Sequence, residues 1–116
     1  MNSTQRVLIV EDEPLIAMML EDFLDVLGKN AVATADSVAS ALAAIGEAEI
    51  DAAILDVNLR GGEKSTAIAE ALASKNIPFV FASGGSGDSV DERFRDRPML
   101  QKPFTMDGVE RALAAL

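Results

Sequence analysis

Five short runs recur along this chain at intervals long enough to hold a helix between them: Val7-Leu8-Ile9-Val10, Asn30 to Ala33, Ala52 to Leu55, Phe79-Val80-Phe81-Ala82 and Met99-Leu100-Gln101. None follows the strict apolar–polar alternation of a half-exposed strand. Continuous apolar strands point instead to a parallel sheet covered on both faces.

The intervening segments carry helix signals. Pro14 fits the first turn of a helix and Gly28 its end. Between them Ile16, Leu20, Phe23, Leu24 and Leu27 fall at helical spacing. Ser37 is a plausible cap for a second helix ending near Gly46. A third spans about Ser65 to Ser74, a short charged one Ser89 to Arg95, and Thr105 caps a last one over Met106 to Leu116. Five βα units with short connections predict right-handed crossovers and one α/β domain over residues 1–116. The expected form is a flavodoxin-like (βα)5 three-layer sandwich with sheet order 2-1-3-4-5. In that order the carboxyl ends of the first and third strands flank the switch point where ligands bind.

Composition then removes whole classes of chemistry. With 116 residues, 49 % of them apolar, the chain can bury a small core and is no disordered acidic tail. Ten basic residues against 19 acidic ones give a net charge of -9, which repels nucleic-acid backbones. There is no cysteine and no histidine, so disulfides, thiol catalysis, His-based zinc sites and Ser–His nucleophiles are excluded. No apolar run approaches the roughly 20 residues that span a bilayer. The first residues lack the apolar core of a signal peptide, and a cytoplasmic domain is the expectation. What remains is chemistry by carboxylates, hydroxyls, lysine or a hard metal ion.

The carboxylates are placed for it. The first strand runs straight into Glu11-Asp12-Glu13 and the third into Asp56. One acid at a strand end is ordinarily a solvated turn residue. Acids at the carboxyl ends of two neighbouring central strands converge, and their mutual repulsion calls for a cation. Mg²⁺ suits such a site, because it takes oxygen ligands and often only one or two carboxylates. The fourth strand leads through Ala82 into Ser83-Gly84, and the fifth into Lys102-Pro103, so a hydroxyl and an ammonium reach the same edge. Both suit the oxygens of a phosphoryl group. Asp51, at the opposite end of the third strand, is expected to face solvent.

This set of residues resembles the receiver domain of two-component response regulators over the whole chain: Glu11-Asp12, Asp56, Ser83 and Lys102-Pro103-Phe104. The resemblance implies that Asp56 is the phosphoacceptor. It implies that Asp12, Asp56 and the backbone carbonyl of Asn58 bind Mg²⁺, with Glu11 acting through water. Ser83 and Lys102 would hold the aspartyl phosphate, and a cis peptide would precede Pro103. The run Pro78-Phe79-Val80-Phe81-Ala82-Ser83-Gly84 is similar to the PFxFATGY signature of receivers that stand alone or serve HWE or HisKA2-type sensor histidine kinases. Arg93 to Pro98 and Leu100 to Phe104 look like the same subgroup. Ser83 stands where that subgroup has threonine and Gly85 where it has tyrosine. Met99 stands where receivers commonly carry an aromatic residue.

By this reading the chain accepts a phosphoryl group from a kinase phosphohistidine and catalyses no reaction but its own phosphorylation and dephosphorylation. It is expected to act as a monomer through protein contacts in the strand 4–helix 4–strand 5 region, with no nucleic acid, no membrane and no room for a DNA-binding output domain. With no aromatic at position 99, the expected switch is ordering of the glycine-rich segment after Ser83 and of the short helix that follows. Leu15, Met18 and Met19 beside the helix-one core stripe, with Phe104, are candidate kinase contacts. Three alternatives stay open: a receiver excised from a hybrid kinase, an inactive receiver-like scaffold, and an aspartyl-phosphate phosphatase of the haloacid dehalogenase type. The last is disfavoured by Asn58, where such enzymes carry a second aspartate, and by the lack of a cap insertion.

Overall fold

The computed structural model describes residues 5–57, 59, 64–83, 94, 97–101 and 104–116. Its strands are β1 (Arg6–Val10), β2 (Asn30–Ala35), β3 (Ala52–Asp56), β4 (Phe79–Ser83) and β5 (Met99–Gln101). Its helices are α1 (Pro14–Val26), α2 (Val38–Glu47), α3 (Thr66–Ser74) and α4 (Met106–Ala114). The five strands form one parallel sheet in the order β2-β1-β3-β4-β5, the flavodoxin-like arrangement.

Each apolar strand feeds two cores. Leu8 and Val10, Ala53 and Leu55, and Phe79 and Phe81 point to one face, where Ala41 and Ile45 of α2 and Ile68, Ala69 and Leu72 of α3 cover them. Val7 and Ile9, Ala52 and Ile54, and Val80 and Ala82 point to the other, against Leu20 and Leu24 of α1 and Val109 and Leu113 of α4. This two-sided burial is why alternation is missing from the sequence. Phe94 joins the first core, its ring edge-on to Phe79 with centroids 5.7 Å apart. The other residues expected to form the short charged helix, and the glycine-rich segment before it, lie outside the described residues.

The helix ends follow local chemistry. Pro14 opens α1. At its end Gly28, at φ 78°, lets the Lys29 N–H donate to the Leu24 carbonyl at 2.8 Å. Asn76, at φ 59°, closes α3 in the same way, with the Ile77 N–H donating to the Leu72 carbonyl at 2.9 Å. Ser37 caps α2 in a reciprocal pair with Ser40, and Thr105 caps α4 by accepting from the Gly108 N–H at 3.0 Å.

Two expectations about side chains are corrected, and a third gains a partner. Phe104 is not part of a surface patch. It is buried in the core with Leu100 and with Val109 and Leu113 of α4. Met19 packs against the core, which leaves Leu15 and Met18 as the exposed apolar residues of that helix face. Asp51 is half-buried and paired. It accepts from the Arg6 backbone N–H at 2.7 Å and from the Arg6 guanidinium at 3.0 and 3.1 Å, and Arg6 also reaches Glu49.

Candidate functional site

The site forms where three adjacent strands end. β1 stops at Val10, and the ladder continues one residue further through the Glu11 N–H, which donates to the Ala35 carbonyl at 2.9 Å. Glu11 is therefore held at the sheet edge and only 3 % exposed. One of its carboxylate oxygens turns back to accept from the Glu13 N–H at 3.1 Å, at the entrance to α1. That helix entrance offers partial positive charge to the acids beside it. Asp12 follows, half-buried. Asp56 is the last residue of β3 and is 6 % exposed. Ser83 is the last residue of β4 and equally buried.

One carboxylate oxygen from each of Glu11, Asp12 and Asp56 lies within 4.8 Å of the other two. Burying like charges at that range is unfavourable unless something positive compensates. Three hard oxygen donors, two of them on buried carboxylates, fit a small divalent cation. A cavity of about 350 Å³ opens beside Glu11 and Asp12, bounded by Thr34, Asp36 and Ser40. A slightly larger cavity of about 390 Å³, between β5 and α4, holds none of the predicted site residues. The carboxylates, and not the larger hollow, mark the chemistry.

The structure thus brings together Glu11, Asp12 and Asp56, and ends the neighbouring strand at Ser83. Asn58, Lys102 and Pro103, with the cis peptide expected there, lie outside the described residues. Gln101 ends β5 opposite Ser83 at this same edge.

One residue escaped the sequence reading. Ser65 opens α3 and looks like an ordinary cap, yet its hydroxyl makes no capping bond. It donates instead to the Val57 carbonyl at 3.2 Å, and the Ser65 N–H donates to the same oxygen at 3.2 Å. Nothing local in the sequence announces a partner eight residues back.

At the opposite edge of the sheet the electrostatics are of another kind. The Arg6 guanidinium beside Asp51 holds that carboxyl below the usual carboxylate range, and Asp51 and Glu49 together raise Arg6 further above its ordinary value.

Known proteins share this fold. The family model described as the response regulator receiver domain matches residues 7–114. The solution structure of SdrG from Sphingomonas melonis Fr1 is 73 % identical, covers 99 % of this chain and 98 % of its own, and superposes with a TM-score of 0.89. The BeF3-activated conformation of SdrG from Pseudomonas melonis Fr1, with the same identity and coverage, superposes at 0.83. The phyllosphere-induced regulator PhyR of Methylorubrum extorquens is 31 % identical over 116 residues, 93 % of this chain but 42 % of that protein. The chain therefore spans less than half the length of that relative. No helix among the described residues is long and apolar enough to cross a membrane.

Proposed function

Because this chain belongs to the response regulator receiver domain family of two-component signalling, we propose that it accepts a phosphoryl group on Asp56 from a sensor histidine kinase. The observation that carries the reading is the convergence of Glu11, Asp12 and Asp56 within 4.8 Å, at strand ends beside the buried Ser83.

An Asp56 carboxylate oxygen attacks the phosphorus of a kinase phosphohistidine. The new phosphorus–oxygen bond forms as the phosphorus–nitrogen bond breaks, and its electron pair leaves with the imidazole, which takes up a proton. Such transfers need positioning and charge neutralisation more than covalent machinery. Asp12, Asp56 and the Asn58 carbonyl would hold Mg²⁺, and Glu11 would steady it through a water. When bound, the ion supplies positive charge to the phosphoryl oxygens. The Ser83 hydroxyl and the Lys102 ammonium are assigned to the remaining oxygens. Hydrolysis of the acyl phosphate resets Asp56, and no second substrate is turned over.

The kinase is assigned to the HWE or HisKA2 type by the Pro78 to Gly84 run. The chain acts in the cytoplasm as a monomeric receiver, a regulator or a phosphate sink, and phosphorylation changes its protein contacts in the region from the fourth strand through the short charged segment Ser89 to Arg95 to the fifth strand. The BeF3-activated conformation of the 73 % identical SdrG supports a phosphoryl-responsive site of this design.

Incubation with acetyl phosphate and Mg²⁺, read by intact mass, tests the assignment. Wild type is expected to gain one phosphoryl group, and Asp56→Asn none. Undiminished uptake by the variant overturns Asp56 as the acceptor. Steady turnover of a simple phosphate ester would instead make the chain a phosphatase.

A further inference from the structure

Among the described residues, three of four helices open on a hydroxyl residue, and two of those hydroxyls do the expected work. Ser37 accepts from the Ser40 N–H and Thr105 from the Gly108 N–H. Ser65 forgoes its cap, although it is 2 % exposed and has few other uses for a polar group. Its hydroxyl and its backbone N–H both converge on the Val57 carbonyl, each at 3.2 Å.

Val57 is the residue immediately after Asp56. Its own N–H donates to the Ala82 carbonyl on β4 at 3.0 Å, which fixes the peptide plane between Asp56 and Val57. Ser65 fixes the next plane. A carbonyl oxygen has two lone-pair directions. A single N–H donor tethers it but leaves the plane free to swivel, whereas a second donor from a buried side chain removes that freedom. The clamp also closes the chain between the end of β3 and the start of α3 at its base.

We propose that Ser65 is a positioning residue for phosphoryl acceptance. Its hydroxyl locks the backbone that leaves Asp56, and so helps set the direction of the Asp56 carboxylate. This rests on the reading of Asp56 given under Proposed function. Groups that orient ligands without touching the metal commonly change its affinity by about 10–100-fold when removed. The Ser65→Ala change leaves the Val57 carbonyl with one donor, so the fold is kept while the geometry at Asp56 loosens.

The test uses the full chain as wild type, Ser65→Ala and Ser65→Thr, at a temperature well below each melting point. Acetyl phosphate uptake and Mg²⁺ affinity are measured with the thermal melt. The expected result is a loss of about tenfold in both uptake rate and Mg²⁺ affinity for Ser65→Ala. Its melt should change little by comparison, and Ser65→Thr should recover most of both losses. A Ser65→Ala protein that melts earlier but binds Mg²⁺ and reacts like wild type gives Ser65 a structural role only and overturns the proposal. If neither variant folds, wild type decides. A Ser65 amide resonance that moves on Mg²⁺ saturation and on beryllofluoride addition supports the clamp, and one unmoved by both overturns it. Wild type that takes up no phosphoryl group overturns the reading of Asp56 itself, an outcome distinct from equal reaction of wild type and Ser65→Ala.

Discussion

The two ends of the same central strands treat negative charge in opposite ways. At the amino edge, where β1 and β3 begin, Asp51 is met by the Arg6 backbone and by its guanidinium, and Glu49 by the same guanidinium. The chain supplies the cation, and the cluster resembles many surface ion pairs. At the carboxyl edge, where β1 and β3 end, Glu11, Asp12 and Asp56 are drawn within 4.8 Å of one another and two of them are buried. The first arrangement ties strands together. The second gathers like charge at a place where a parallel sheet presents its switch point. Stability accounts for the amino edge, and the carboxyl edge makes sense as a site for a cation and a phosphoryl group.

The contrast is sharpest at Asp12. Replacing it with alanine removes a proposed ligand together with part of the mutual repulsion. Mg²⁺ affinity should fall by at least about tenfold, while the metal-free protein should melt no earlier than wild type. Because a ligand that binds only the folded state raises stability with its concentration, saturating Mg²⁺ should lift the wild-type melting temperature and leave that of Asp12→Ala nearly unchanged. Equal Mg²⁺ shifts in both proteins would break the comparison, since the carboxyl edge would then bind no metal through Asp12.

A smaller effect follows from charge alone. The Asp56→Asn change keeps the shape of the side chain, replaces one acceptor oxygen with an NH2 donor and removes one buried like charge. At an effective dielectric constant near 20, unit charges a few ångströms apart repel by several kcal/mol before solvent and counter-ions discount it. A net stabilisation of about 1 kcal/mol in the metal-free protein is the expected remainder, a rise of a few degrees in melting temperature. The equivalent neutralisation at the amino edge should act with the opposite sign. A thermal melt of Asp56→Asn below that of wild type without Mg²⁺ would show that the carboxylate is needed by the fold.

Much of this was legible in the residues. The strands announce themselves because a two-sided core demands continuous apolar runs. Pro14, Ser37 and Thr105 mark helix starts, and Gly28 a helix end, by chemistry that acts within four residues. The strand-end acids could be placed at one edge because sheet order follows from the βα alternation. What stayed hidden depends on partners distant in sequence. The Arg6–Asp51 pair joins residues 45 apart, and an aspartate at a strand start carries no mark of that cation. Ser65 advertises a cap and makes a clamp. Asn76 takes the left-handed turn that glycine would advertise. Phe104, next to Pro103, looks like a surface aromatic until α4 is seen to fold over it.

The weakest expected effect lies at the amino edge and is a matter of pH. The Asp51 carboxyl is held below its ordinary value by the Arg6 side chain first and the Arg6 N–H second. A carboxylate whose folded pKa is depressed contributes stability that is fully present above its unfolded value of about 3.9 and is lost as pH falls through the folded pKa. The pair is more than a third exposed, so solvent and salt screen it and the contribution is small. Wild type should therefore lose slightly more stability than Asp51→Asn as the pH drops below about 4. The two acid-unfolding curves should draw together at the lowest pH. Salt should shrink the gap at neutral pH. Parallel curves across the whole acid range would mean that Arg6 and Asp51 do not interact in solution, and the amino edge would lose its claim to be the neutralised counterpart of the site.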